Sequence, residues 1–348
     1  MTVKTKGIVV YVLLAFGLAW SCWLVLWLLG VPAASPIGGF APALAAVIVR
    51  RWVTREGFQD AGLALHLKSR WPYYLLAWVL PLLVLAVVVG LATVLGQGQP
   101  DLSLQRGLSV LFPGRHLPTG VVCLGLLAGT LLLTPVLWGE EFGWRSYLQI
   151  RLLSQHPLLA ALTTGLMFGI WHYPLLLMGG AQGETLWVAL ILFPVDSVLL
   201  SLIFGWLRLR TKSIWPASLA HAATHTLGIE LSLLLFVGGG NLDLLSYNGL
   251  LVLIPLAAFC LWIILTGQLT ATEAVRRGET SHVLTSEKRG ACSFETSLSG
   301  KEPIMGVAGV TERLRSGGPT TVDRSSNSGT FEAEDAHAPE AQVSRSDE

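Results

Sequence analysis

Long apolar segments restrict the fold of this chain more than any other feature of its sequence. A helix needs roughly 20 apolar residues to cross a bilayer. Eight segments approach that length, near residues 7–30, 37–49, 71–96, 119–138, 157–178, 186–207, 215–237 and 249–265. Lipid offers the backbone no hydrogen-bond partners, so such segments must be helical. We predict an all-α, polytopic membrane protein with about eight transmembrane helices.

The composition agrees with a membrane protein and excludes one class of partner. Of the 348 residues, 52% are hydrophobic and 13% are charged, whereas soluble domains carry roughly 25% charged residues. The net charge is +1, so no strongly basic surface is available for a nucleic acid. The expected partners are the lipid bilayer and membrane-associated proteins or peptides.

Basic residues predict the orientation, because Lys and Arg accumulate in cytoplasmic loops. They occur before the first segment, in alternate links, and after the last segment: Lys4, Lys6, Arg50, Arg51, Arg55, Lys68, Arg70, Arg145, Arg151, Arg208, Arg210, Lys212, Arg276 and Arg277. The intervening links hold mainly Arg106 and Arg115. We expect both termini in the cytoplasm and the chain in the plasma membrane of a prokaryote.

The C-terminal part of the chain differs from the rest in composition. From about Thr272 it is rich in Ser, Thr, Gly, Glu and Arg and has few large apolar residues. Such a segment cannot bury enough apolar surface to offset the entropy of ordering. We predict a transmembrane domain over residues 1–268 and a disordered cytoplasmic tail over 269–348.

Ionisable residues are concentrated in the later membrane segments. They are Glu140, Glu141, Arg145, His172, Asp196, His221, His225 and Glu230, whereas the apolar interiors of the first three segments hold none. A charged side chain at the centre of a bilayer costs roughly 2.5–3.5 kcal/mol on insertion scales, so such residues indicate a functional site.

Counting along the predicted helices brings several of these groups to one depth. At 1.5 Å per residue, Glu140 and His172 lie ~20 and ~22 Å from the turn at His156. By the same rise, the next turn lies ~15 Å from His221, ~21 Å from His225 and ~22 Å from Asp196. This convergence predicts one polar site within the membrane.

Spacing within the helices predicts different roles. Glu141 and Arg145 are four residues apart, in the favourable order for an ion pair, and we interpret them as structural. Glu140 points about 100° away from Glu141 and lacks that local partner. His221 and His225 share a helix face, a spacing that metal sites also use.

Three motifs at these residues resemble the CAAX protease and bacteriocin-processing (CPBP) family of intramembrane endopeptidases, which includes the type II CAAX prenyl endopeptidases. They are Glu140-Glu141-Phe142-Gly143-Trp144-Arg145, Phe168-Gly169-Ile170-Trp171-His172 and His221-Ala222-Ala223-Thr224-His225, with Phe40-Ala41-Pro42-Ala43 as a further similarity. His225 stands where the family usually has an amide or a carboxylate. The resemblance extends over about residues 40–265, the expected protease core.

The resemblance implies hydrolysis of peptide bonds in membrane-associated substrates, with CAAX-type prenylated proteins as one class. Glu140 and His172 would activate a water, and His221 and His225 would hold the developing oxyanion. Alternatively, Glu140, His172, His221 and His225 would bind Zn²⁺, as in a metallopeptidase. Glu141 belongs to the same candidate catalytic set, and Arg145 and Asp196 would support it.

Two other functions remain compatible with the sequence. Chains of Asp, Glu and His also mark proton relays and transporters. A catalytically inactive relative could instead serve as a membrane scaffold or an immunity factor, because His225 departs from the family pattern.

Overall fold

The structure is a computed structural model that describes residues 2–31, 37–152, 154–179 and 184–269. Within these ranges the chain forms helices and no β-strand beyond one isolated bridge between Gly98 and Gly240. The predicted all-α class is therefore confirmed. Apart from its first residue, Leu269, the predicted disordered tail over 269–348 lies outside the described residues.

Ten helices follow one another along the described part of the chain. They are α1 (Val3–Leu28), α2 (Ala41–Ile48), α3 (Leu67–Val94), α4 (Gln105–Leu111), α5 (Thr119–Arg151), α6 (Pro157–Met178), α7 (Glu184–Thr211), α8 (Trp215–Phe236), α9 (Leu242–Leu245) and α10 (Leu253–Leu265). Six of them, α1, α3 and α5–α8, are long and apolar enough to span a membrane. The shorter helices α2 and α10 occupy the other two predicted positions, so the count of eight is approximate.

Helix α8 lies at the centre of the bundle. In its most apolar window 72% of the residues are buried, against 17–39% in the other five long helices. Those helices expose large apolar side chains, such as Leu13, Leu83 and Leu132. In water such surfaces would be unfavourable, but lipid is as apolar as these side chains. The pattern fits an integral membrane protein whose third motif lies on the most enclosed helix.

Two Gly-x-x-x-Gly pairs let helices approach one another closely. A Cβ atom at Gly169 would lie 2.6 Å from Cα of Pro194, and one at Gly165 would lie 2.6 Å from Cα of Val198. Any side chain at these glycines would therefore push α7 away from α6. Small residues at such spacing are the usual solution to close helix packing in membranes.

The second pair, Gly139 and Gly143, packs against the turn that leads into α2. A Cβ atom at Gly139 would lie 2.7 Å from the ring of Phe40, and one at Gly143 would lie 2.6 Å from the backbone of Pro42. The 3₁₀ turn Gly38–Phe40 and the start of α2 thus lie directly against the part of α5 that carries the paired glutamates.

The link between α2 and α3 is held against one end of the bundle by arginines. Arg50, which is fully buried, donates to Asp60 Oδ1 at 2.7 Å and to the Ser146 carbonyl at 2.9 Å. Arg151 donates to Asp60 Oδ2 at 2.7 Å, and Arg208 donates to the Asp60 carbonyl at 2.5 Å. We call this end of the bundle, defined by Arg50, Arg151 and Arg208, the basic end.

Asp60 lies outside the membrane-spanning helices and stays ionised in this network. Burial alone would raise its pKa, but the hydrogen bonds and positive charges of Arg50 and Arg151 outweigh that effect, and the pKa lies below its usual value. The charged carboxylate therefore links Arg50, just after α2, to Arg151 at the end of α5, and the Asp60 carbonyl adds Arg208 of α7.

The orientation of the basic end is tested by topology reporters. Fusions after Arg70 and after Lys212 should report the cytoplasm, and fusions near Gly179 and Asn241 should report the opposite side, because Lys and Arg favour cytoplasmic loops. An alkaline phosphatase and fluorescent protein pair at each position gives reciprocal signals. An external signal after Lys212 would contradict both the orientation and the helix count.

Candidate active site

His172 lies at a break in α6. Pro174 follows it in the first turn of the second part of the helix and has no N–H to donate to the Ile170 carbonyl. The His172 N–H bonds to the Gly169 carbonyl at 3.2 Å, which releases the Phe168 carbonyl from the usual ladder. Nδ1 of His172 lies 2.9 Å from that released oxygen. Because His172 follows Phe168 by four residues, its imidazole can donate to the Phe168 carbonyl in place of the His172 backbone N–H.

His221 is oriented by a carboxylate rather than by the backbone. Its Nδ1 lies 2.9 Å from Oε1 of Glu141, and Nη1 of Arg145 lies 2.9 Å from the same oxygen. Glu141 and Arg145 are completely buried and His221 is 4% exposed. The expected pair of Glu141 and Arg145 is therefore present, but its carboxylate also holds a histidine, so Glu141 belongs to the site as well as to the scaffold.

These hydrogen bonds determine which ring nitrogens remain available. Carbonyl and carboxylate oxygens only accept, so Nδ1 of His172 and Nδ1 of His221 carry the hydrogens. In the neutral rings, Nε2 then carries the lone pair. Both imidazoles therefore offer a nitrogen that can accept a proton or bind a metal ion.

Aromatic rings enclose the charged groups. The guanidinium carbon of Arg145 lies 4.8 Å from the ring centroid of Phe168 and 5.3 Å from that of Phe204. The same rings pack against His221, at centroid distances of 5.7 and 5.4 Å. Cation–π contacts of this kind partly replace hydration in an environment without water.

His225 lies in a segment of α8 with an unusual helical winding. Residues Thr224–Glu230 are π-helical, and a second π-helical segment, Trp144–Leu148, contains Arg145. Such insertions are frequent at functional sites because they re-aim side chains. The rings of His221 and His225 lie 5.2 Å apart, between centroids, as expected for residues on one helix face.

The three histidines line a single cavity of about 220 Å³. Asp196 also lines it, so groups from α6, α7 and α8 converge as their predicted depths required. The wall is otherwise mostly apolar and includes Leu175, Leu176, Phe193, Leu200, Phe204 and Ile229. The cavity is smaller than the roughly 300–1,000 Å³ typical of sites for drug-sized ligands, so it suits a side chain and its adjoining backbone.

Glu140 is not among the residues that line this cavity. Its Oε1 is the nearest atom to a Cβ that would be added at Gly39, at 2.9 Å, and its buried Oε2 has no hydrogen-bond partner among the described residues. Trp23 connects this region to His172, because it packs against Gly38 and its ring lies 6.4 Å from the imidazole of His172. Glu140 is thus a half-buried residue whose carboxylate lacks the arginine that its neighbour has.

Asn248 is a polar residue of the cavity that none of the three sequence motifs includes. Asn248 lines the cavity from the link between α9 and α10. Its neighbour Tyr247 is buried against Gly228, and the Tyr247 N–H donates to Oγ of Ser232 at 2.9 Å. Only the tertiary contacts of this link reveal that Asn248 reaches the site.

The fit of a metal ion can be tested on the donor groups. Nε2 of His172 and Nε2 of His221 have the chemistry of zinc ligands whose other nitrogen is held by a carbonyl or a carboxylate. However, within the described residues no group of three or more His, Cys, Asp or Glu side chains is placed to hold one ion. As placed, Glu140, His172, His221 and His225 do not form a three-ligand site, and Zn²⁺ binding stays a prediction.

A known protein family matches the part of the chain that forms this site. Residues 120–227 match the family model described as type II CAAX prenyl endopeptidase Rce1-like. The resemblance to the CPBP family is thus confirmed. The matched residues include all three motifs and the cavity wall from α6 and α7. No curated protein matches the chain. The match supports a protease of the membrane.

The shared carboxylate of Glu141 generates a prediction about stability. Glu141→Ala should lower the thermal unfolding midpoint by several degrees, because it leaves Arg145 buried without its partner, at a cost of about 3–5 kcal/mol. Glu140→Ala is the matched control and should leave the midpoint nearly unchanged, because Glu140 has no such partner. Unfolding of purified protein in detergent, followed by intrinsic tryptophan fluorescence, measures both variants. Equal midpoints for the two variants would contradict the assignment of Glu141.

Proposed function

We propose that this protein is an intramembrane endopeptidase that hydrolyses peptide bonds of membrane-associated proteins or peptides through a water activated by glutamate and histidine. The observation that carries the proposal is the single cavity onto which His172, His221 and His225 converge, together with Glu141, which holds His221 and directly follows Glu140. The family match over residues 120–227 supports the same activity.

Water activation is assigned to Glu140 and His172. A general base must accept a proton, and both groups have an atom free for this purpose: Oε2 of Glu140 and Nε2 of His172. The water oxygen then bonds to the scissile carbonyl carbon, its proton passes to the base, and the carbonyl electron pair moves to the oxygen.

Stabilisation of the oxyanion is assigned to His221 and His225. His221 donates Nδ1–H to Glu141, so Nε2 can donate to an oxyanion only when the ring is protonated. The carboxylate of Glu141 stabilises that imidazolium, as a buried carboxylate does in serine protease triads. Collapse of the intermediate then breaks the C–N bond, and the proton held by the base passes to the leaving nitrogen. Glu141 and Arg145 are positioning residues in this scheme.

A lipid-modified substrate of the CAAX type is the narrower part of the proposal. Its support is a second, apolar cavity of about 840 Å³ between α4, α5 and α8. Its wall is formed largely by Leu108, Leu111, Phe112, Val121, Val122, Leu126, Leu233 and Leu234. Glu230, which also lines it, follows His225 by five residues on α8. A lipid chain in this cavity would therefore extend toward the helix that carries the third motif.

The catalytic assignment predicts strongly non-additive losses of activity. Glu140→Ala and His172→Ala should each reduce peptide hydrolysis by at least about a hundredfold, because general-base catalysis contributes about 10²–10⁴-fold. The double variant should lose little more than either single variant, since the two groups serve one step. Cleavage of membrane-anchored peptides by the purified protein, quantified by mass spectrometry, gives the rates.

Three results would redirect this assignment. Normal hydrolysis by Glu140→Ala would remove Glu140 from the mechanism. Absence of hydrolysis by any variant, with proton or solute flux in proteoliposomes that depends on Glu140, would favour the transporter. If both assays are negative and the Glu140→Ala protein is as stable as the wild type, the scaffold hypothesis is favoured.

The donor placement also predicts the response to chelators. Hydrolysis should persist in the presence of a zinc chelator, because the described residues do not bring three ligands to one ion. His225→Asn, which introduces an amide at this position, should retain most of the activity, because an amide can also donate to an oxyanion. Loss of activity on chelation, restored by Zn²⁺, would contradict this and would identify a metallopeptidase. Metal content of wild type and His225→Asn provides the independent measurement.

A further inference from the structure

Asp196 is a buried carboxyl group in the wall of the cavity for which the mechanism above has no use. It is 4% exposed, and its Oδ1 is buried without a hydrogen-bond partner. It does not form a hydrogen bond with Nδ1 of His172 or of His221, because the first bonds to the Phe168 carbonyl and the second bonds to Glu141. A buried polar atom without a partner is costly, so its position requires an explanation.

The position of Asp196 follows from a second helix irregularity. Pro194, two residues earlier in α7, has no N–H for the Leu190 carbonyl, and the hydroxyl of Tyr173 donates to that carbonyl at 3.0 Å. Pro194 also meets Gly169 at the closest approach of α6 and α7. These contacts fix the turn of α7 that carries Asp196 beside the break in α6 where His172 lies.

No cation of the described chain neutralises this carboxyl group. None of the described Lys, Arg or His side chains forms an ion pair or a hydrogen bond with it. Its electrostatic neighbours are the phenol of Tyr247 and the thiol of Cys260, and neither carries a positive charge. Arg145, the nearest guanidinium in the motifs, bonds to Glu141 instead.

We propose that Asp196 is a substrate-recognition residue, and that the cavity takes a peptide with a Lys side chain or another primary ammonium close to the scissile bond. The apolar wall would contact the methylene groups of such a side chain, and the carboxylate would pair with its ammonium. A lone carboxylate at the end of an otherwise apolar pocket selects cationic side chains in this way in serine proteases of trypsin specificity. The inference rests on the proposed peptidase function.

Pairs of peptides that differ only in charge test this recognition. Each pair carries either Lys or norleucine, which lacks the ammonium, at one position near the cleavage site. Wild type should cleave the Lys member at least about tenfold more efficiently in kcat/KM, within the range of coupling measured for close charge pairs. Asp196→Asn should lose this preference. Asp196→Glu should retain the preference, and Asp243→Asn, at an exposed position on α9, is the matched control.

A binding measurement that does not depend on catalysis accompanies the cleavage assay. n-Butylammonium should raise the unfolding midpoint of wild type, of Glu140→Ala and of Asp243→Asn, whereas n-butanol should not. Asp196→Asn should show no such rise. If Asp196→Asn does not fold, the comparison of Lys with norleucine in wild type and in Asp196→Glu still decides the question.

The outcomes separate the two proposals. Equal cleavage of Lys and norleucine peptides by wild type, or a Lys preference that survives in Asp196→Asn, would overturn the recognition role and leave the peptidase function standing. Ammonium stabilisation that requires Asp196 without any hydrolysis would support the cation site and refute the peptidase. Absence of both hydrolysis and ammonium stabilisation would overturn both.

Discussion

The carboxylate of Glu141 is the interaction on which the rest of the site depends. One oxygen accepts from both Arg145 and His221 at 2.9 Å, and all three groups are buried. In a medium of low dielectric, either cation or imidazole alone would be expensive, and the shared anion satisfies both. It also sets the tautomer of His221, so that Nε2 of the ring keeps the lone pair and stays available. The structural role of Glu141 and the positioning role proposed for it therefore rest on the same hydrogen bonds.

The geometry around this carboxylate comes from local departures from regular helix. Helix α6 breaks at His172, whose N–H bonds to Gly169 and so leaves the Phe168 carbonyl to its ring, and π-helical segments carry Arg145 and His225. Glycines at 165 and 169 allow α7 to approach closely enough for Phe204 to pack against His221 and for Asp196 to line the same cavity as the histidines. A regular helix buried among regular helices would satisfy its own backbone and leave the side chains without these partners. The irregular turns thus supply both the donors and the space.

Much of this arrangement could be predicted from the sequence, because membrane insertion makes apolar length and ionisable residues unusually informative. The helical class followed from the apolar runs, and the pairing of Glu141 with Arg145 followed from their spacing. The second bond of Glu141, to His221, could not be predicted, since it joins α5 to α8 across 80 residues of sequence. Nor could Asn248 be found, because the link that carries it has no periodic pattern and is placed by Tyr247. Tertiary approach, not local pattern, decides these features.

Ionisable groups at membrane depth serve proton relays as well as hydrolysis, so their mere presence does not separate the two functions. A relay requires hydrogen-bonded groups that continue toward both faces of the membrane. In the described residues, the side-chain bonds from Arg145 through Glu141 to His221 end at the cavity wall. The basic end is closed by a separate network around Asp60, whose arginines bond to backbone carbonyls and carboxylates at that end. Within the described residues, no chain of hydrogen-bonded ionisable groups leads from the cavity with its three imidazoles to the basic end, and this arrangement suits a reaction better than a path. This separation of the two networks is the physical reason for preferring hydrolysis over transport.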